Sequence, residues 1–133
     1  MSAETNPFAA FEEQKYLSLE TFRKNGEGVR TPIWFAAEKG GAPVLYIYTI
    51  ADTGKVKRIR NNPQVRIAPC DMRGGVTGEW VSARAEILAG DAAAHGMQSL
   101  NRKYFPLKQL MGFFAKFSRR ERLVMALRPA LGM

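Results

Sequence analysis

The residues best suited to chemistry lie between Tyr48 and Pro63, where the chain reads YTIADTGKVKRIRNNP. An apolar run ends, Asp52 and Thr53 offer N-capping side chains, and Gly54-Lys55 opens a helix that Asn61-Asn62-Pro63 stops. The first turn of a helix has backbone N–H groups without intrahelical acceptors, and the helix dipole adds positive potential there. Such a terminus receives phosphate. Thr49 and Thr53 can donate hydroxyl hydrogen bonds, while Lys55 and Lys57 supply charge. The same pattern also describes a solvated basic helix with a structural cap, and composition alone favours that plainer reading. It is not a Walker loop, because Gly54-Lys55-Val56 lacks the upstream glycine and the Ser or Thr after the lysine.

A second segment, Arg30-Thr31-Pro32-Ile33-Trp34-Phe35, has a proline inside an otherwise good strand. Proline cannot donate to a sheet ladder, so it marks an edge, a bulge or a backbone that faces a ligand. A planar ring with alternating donors and acceptors could use the backbone groups left free. A plain edge strand with Trp34 in the core fits as well. Elsewhere chemistry is sparse. His95 is a lone histidine in a helical stretch, and Cys70 beside Pro69 reads as a small buried residue. No acid, base or nucleophile stands out as catalytic, and one Cys with one His cannot build a usual metal site.

These segments need a scaffold, and the pattern predicts one. Pro7–Gln14 reads as a short helix; Tyr16–Phe22 and Val29–Ala37 form a hairpin around Asn25-Gly26-Glu27-Gly28. In the first of these strands Leu17, Leu19 and Thr21 share one face, with Tyr16, Ser18, Glu20 and Phe22 on the other. Residues 44–50 are apolar on both faces, as in a strand covered on both sides. Strands follow at 64–71 and 76–89, a helix from Asp91 to about Tyr104, another from Pro106 through Phe117, and a last strand in ERLVMAL. Meandering strands broken by one small helix indicate a mainly β, antiparallel barrel of six strands with a few helices, one domain over residues 1–133.

Composition limits the alternatives. An apolar fraction of 46% supports a core and rules out a disordered chain. No run approaches the roughly 20 apolar residues of a spanning helix, and the N-terminal stretch has no basic run ahead of an apolar one, so neither membrane nor secretion is expected. A single cysteine suits a reducing, cytoplasmic setting. The net charge of +8 is uneven: residues 52–73 hold six bases against two acids, and residues 99–133 eight against one. Anionic partners are therefore expected. Nucleic acid ranks last among them, since no helix-turn-helix, zinc-finger or ribonucleoprotein signature is present.

The order of motifs resembles a known family. Arg30 and two apolar residues on the second strand, Tyr48-Thr49 ending the third, Thr53-x-Lys55 opening a helix, and Asn61-Asn62-Pro63 before a fourth strand are similar to the pyridoxamine 5′-phosphate oxidase-like superfamily, split β-barrels that bind flavin mononucleotide (FMN). The longer spelling TPIWF…DTGKVKRIRNNPQV…APCDMRG…GEWVSARAEI resembles a branch of small proteins described as coenzyme F420-dependent oxidoreductases. The resemblance covers roughly residues 15–90. It implies a flavin- or deazaflavin-dependent oxidoreductase using FMN or F420, or alternatively a non-catalytic flavin- or haem-binding module. It implies phosphate-end contacts from Arg30, Thr49, Thr53 and Lys55, and a ring lined by Thr31, Pro32, Ile33 and Tyr48. Two departures stand out: Gly54 replaces an arginine of the oxidase pattern and Phe35 a lysine, with Lys57 restoring a charge nearby. The resemblance also implies a homodimer with sites at the interface, where Trp80 and Arg84 on the fifth strand could reach the partner's cofactor.

Overall fold

The computed structural model describes residues 7–103 and 122–130. Six strands occur there: β1 (Tyr16–Phe22), β2 (Gly28–Ala37), β3 (Leu45–Ile50), β4 (Gln64–Cys70), β5 (Val81–Ile87) and β6 (Arg122–Pro129). Two helices accompany them, α1 (Gly54–Asn61) and α2 (Gly90–Lys103). All pairings are antiparallel and close a barrel in the order β1-β2-β3-β6-β5-β4. The expected six-stranded antiparallel barrel is thus the observed one. The expected helix at 106–117 lies outside the described residues.

Sequence explains the local choices. The β1–β2 hairpin turns where Gly26 adopts φ +90°, a conformation that favours glycine, and Asn25 Oδ1 accepts the Glu27 amide at 2.9 Å. Two expectations require correction. Pro7–Gln14 makes only a 3-10 turn at Ala9–Phe11, cut short where Glu13 takes a left-handed φ of 64°. The fifth strand begins at Val81 and not at Val76, which forms only an isolated bridge to Cys70. Asp71 Oδ1 accepts the amides of Arg73 and Gly75 at 2.9 and 2.8 Å, and the chain then crosses over Pro69. Regular pairing cannot survive that turn.

Inward-facing residues Leu17, Leu19, Phe35, Leu45, Ile47, Ile67, Met125 and Leu127 fill the barrel. Its two ends are closed by different elements. Val56 and Ile59 of α1 pack into one, beside Thr21, while Phe8 and Phe11 pack into the other, with Phe11 edge-on to Phe35 at 5.9 Å. Outside, α2 lies on β2, β3 and β6, where Leu100 meets Ala36, Tyr46 and Ala126. Gly96 permits the approach, since a Cβ there would sit 2.8 Å from Val124 Cγ1. Strand β3 is therefore buried on both faces, as its composition implied.

The barrel is split at one seam. Strand β2 pairs with β1 along seven residues but with β3 at only three, Phe35–Ala37 against Leu45–Ile47. Below that point β2 from Gly28 to Trp34 and β3 from Tyr48 to Ile50 diverge, and the β3 side of β2 has no strand partner among the described residues. Pro32 sits in the unpaired stretch, which explains why a proline is tolerated in a ten-residue strand.

Candidate functional site

Three features converge on the split. The first is a groove of about 280 Å³ on the outer face, lined by Tyr16, Pro32, Ile33, Trp34, Tyr48 and Met72. Tyr16 and Trp34 are opposite each other in the β1–β2 register, their rings 6.2 Å apart. Tyr48 comes from the diverging end of β3, and Met72, 70% exposed, from the loop after β4. That loop folds back over β2, with the Gly74 backbone close to Pro32. The groove thus offers flat aromatic walls beside an unpaired strand edge. Such a mix of apolar surface and a few backbone polar groups suits a planar heteroaromatic ligand.

The second feature is the start of α1. Thr53 occupies the N-cap, but its side chain makes no capping bond; its hydroxyl donates to the Ile50 carbonyl at 3.0 Å. No acidic residue lies in the first turn, whereas Lys55, Lys57 and Arg58 do or immediately follow. Cations at the positive end of a helix dipole are unfavourable. Burial, and then the neighbouring Arg58 guanidinium, lowers the Lys55 ammonium below its ordinary range. Arg58 turns toward the barrel, its Nε donating to Thr21 Oγ1 at 2.6 Å. Lys57 is exposed and Thr49 is buried, facing inward.

The third feature surrounds Glu20. This carboxylate is only 6% exposed, although it lies on the face of β1 opposite the barrel-filling Leu17 and Leu19. Arg30 Nε donates to it at 3.1 Å and Arg66 Nη1 at 3.3 Å. Both guanidinium groups stack on Trp80, 4.5 and 5.1 Å from the ring centroid. The register places Arg30, Glu20 and Arg66 abreast on β2, β1 and β4. Gly28 leaves the room, since a Cβ there would lie 2.3 Å from Glu20 Oε2.

The structure therefore distributes the expected site residues. Pro32, Ile33 and Tyr48 come together in the groove, Thr31 adjoins them on β2, and Thr53 and Lys55 meet at the start of α1. Arg30 and Trp80 belong instead to the Glu20 cluster, where Arg30 already has a counter-ion. Tyr16, Trp34 and Met72 were missed as groove residues, as were Glu20 and Arg66 as partners. Tyr16 and Trp34 had a signal: aromatic residues of the hairpin that share a face. Met72 had none.

The two residues set aside stay outside the site. Burial, together with Asp71, raises the Cys70 thiol, as for an inert core cysteine. His95 Nε2 lies 2.7 Å from Glu38 Oε2, to which Tyr46 donates its hydroxyl at 2.8 Å. Burial pushes Glu38 upward, but these hydrogen bonds outweigh it and hold the carboxyl below its usual value. Tyr46 is pushed up to about 12 by burial and by this carboxylate. The trio fastens α2 to β3. Among the described residues no cluster of His, Cys, Asp or Glu could hold a metal, and no helix is long and apolar enough to cross a membrane.

No family model and no curated protein matches the sequence. Solved structures do match, 45 of them. A protein of Listeria innocua, provisionally described as a pyridoxamine 5′-phosphate oxidase, is 12% identical with a TM-score of 0.63, covering 97% of this chain and 94% of its own. The fold is that of the pyridoxamine 5′-phosphate oxidase-like split barrels. Two further split barrels show what that scaffold carries elsewhere. The haem storage protein HutZ of Vibrio cholerae is 14% identical, TM-score 0.65, covering 98% of this chain and 89% of its own. An FAD-binding protein of Mesorhizobium loti is 19% identical, TM-score 0.56, with 90% and 82% covered. At such identities the likeness fixes the fold alone. The function must come from the groove and the helix start.

Proposed function

We propose that this split barrel binds FMN or coenzyme F420 and acts as an oxidoreductase, transferring a hydride to or from a small unsaturated molecule. The observation that carries the reading is the unpaired edge of β2 beside the aromatic groove, next to a helix start that holds cations and no acid. The residues present fit the group. Tyr16, Trp34 and Tyr48 offer faces to a planar ring, and Pro32 keeps β2 from being paired there. The first-turn N–H groups of α1, which the Thr53 side chain does not cap, suit its phosphate together with the Thr53 hydroxyl and Lys55. A bound flavin or deazaflavin would itself supply the hydride chemistry. The protein's part is to orient the ring and to exclude water with Met72, Trp34 and Tyr16. A groove of about 280 Å³ is small for such a ligand, which supports completion by a second copy of the chain in a homodimer. F420 is favoured slightly over FMN, because its acidic tail suits a chain of net charge +8. Buried, unreactive Cys70 fits a reducing cytoplasm.

Titration of purified protein with FMN and with F420, followed by fluorescence, tests the reading. Saturable binding of either at micromolar protein is expected, and absence of both overturns it. A second reading, a non-catalytic haem-binding module, is supported by the likeness to HutZ. His95 opposes it, being engaged with Glu38 and not lining the groove. A Soret band on haem titration that disappears in His95→Ala would favour this second reading.

A further inference from the structure

A second and larger cavity lies on the outer face of β4, β5 and β6 and shares no lining residue with the aromatic groove. Its volume is about 590 Å³, within the usual range for small-molecule sites. One row crosses its floor: Gln64 on β4 is opposite Arg84 on β5, and Arg84 is opposite Arg128 on β6. Two arginines facing each other across a strand pair repel. Among the described residues one carboxylate lines the cavity, Glu86, and it is paired with Arg128. Arg84 has no hydrogen bond or ion pair among the described residues. Ala85, Pro129 and Ala130 complete an apolar floor. The amides of Ala85 and Ala130 are already spent on the carbonyls of Pro63 and Ser82, so side chains must do the binding.

A guanidinium with no partner, facing a second one and flanked by a primary amide, is the donor set for an oxyanion. Its planar fork matches two oxygens of a carboxylate or phosphate, and Gln64 can donate to a third. We propose that this cleft binds the phosphate or carboxylate group of a small metabolite, held by Arg84 and Gln64 and relieving the repulsion between Arg84 and Arg128. The cleft shares no lining residue with the aromatic groove, and the Lys55→Ala arm of the test separates its failure from that of the cofactor reading.

Residue-resolved NMR titration of the full chain with inorganic phosphate, and separately with acetate, tests this and distinguishes the two oxyanions. Saturable shifts of the Gln64 side-chain amide and of the Arg84 and Arg128 Nε–H signals are expected with at least one of them. Arg84→Gln should weaken that binding roughly tenfold or more, and Arg84→Lys less, because lysine keeps the charge but loses the fork. Lys55→Ala, at the start of α1, should leave these shifts in place, whatever happens to cofactor binding. A thermal melt gives a second readout: without added anion Arg84→Gln should be no less stable than the parent chain, and the anion should stabilise the parent more. Absence of saturable shifts for both anions overturns the proposal. So does binding that persists undiminished in Arg84→Gln, or shifts of equal size at the exposed Arg23.

Discussion

Arg30 and Lys55 have the same expected task, a contact to phosphate, yet the structure puts them in opposite electrostatic conditions. Arg30 lies in a closed cluster, in which a buried carboxylate is held by two guanidinium groups and an indole covers both. Lys55 lies at an open one, in which cations gather at the positive end of a helix with no acid in its first turn. Residue type alone therefore does not mark an anion site. Missing counter-charge does. Glu20 already fills the role that a ligand phosphate would play toward Arg30, while the first turn of α1 holds no acid to do so for Lys55.

The largest effect should come from opening the closed cluster. Removing both Arg30 and Arg66 leaves Glu20 buried and unpaired, which should cost about 3 kcal/mol in urea unfolding. Either single arginine change should cost much less, because the other remains. Equal, additive losses would mean that Glu20 is not truly shared. Next comes cofactor uptake. Lys55→Ala should weaken FMN or F420 binding about tenfold, the value of one charge-assisted hydrogen bond. Arg30→Ala should weaken it less. If the order reverses, Arg30 exchanges Glu20 for the ligand and the closed cluster is only the empty state.

Two glycines refine the contrast at smaller scale. Gly28→Ala places a Cβ against a carboxylate that Arg30 pins, and should destabilise by about 1–2 kcal/mol. Gly54→Ala meets only the outer nitrogen of the Arg58 guanidinium, at 2.8 Å, which can tilt about the Nε bond to Thr21 with a small loss. It also improves helix propensity, so a change between zero and a gain of about 0.5 kcal/mol is expected. Thermal melts of the two variants side by side check this, and similar losses in both would remove the distinction.

Much of this was legible in the residues. Strand positions followed from period-two patterns in β1 and β3, the hairpin from Asn25-Gly26, and the start of α1 from the Thr53-Gly54-Lys55 junction. Pro32 signalled an unpaired edge, because the missing N–H is a local property. What could not be read was long-range. Alternation put Glu20 on the face of β1 opposite Leu17 and Leu19, and only closure of the barrel brings β2, β4 and the loop after β4 to bury it. The same holds for Met72, whose place in the groove depends on how that loop folds back. Strand β5 appeared too long because alternation continues through Val76, whereas the Asp71 turn and the crossing over Pro69 stop the ladder.

The smallest effect follows from the Lys55 ammonium itself. Burial and Arg58 lower its pKa in the folded chain below the ordinary 10.5 of the unfolded one. Between the two values the unfolded chain binds more protons, so stability should rise with pH as Lys55 loses its charge, up to about pH 10.5. An anion bound at the start of α1 favours the charged ammonium and should flatten or reverse that slope. Melts across this window, with and without phosphate, should therefore diverge in the parent chain and coincide in Lys55→Ala. No such slope is expected from Arg30, because a guanidinium stays charged throughout. Burial also lowers the Lys103 ammonium, to about 8, so part of the rise is common to both chains; if Lys55→Ala keeps all of it, the helix start contributes nothing and its contrast with the Glu20 cluster loses its basis.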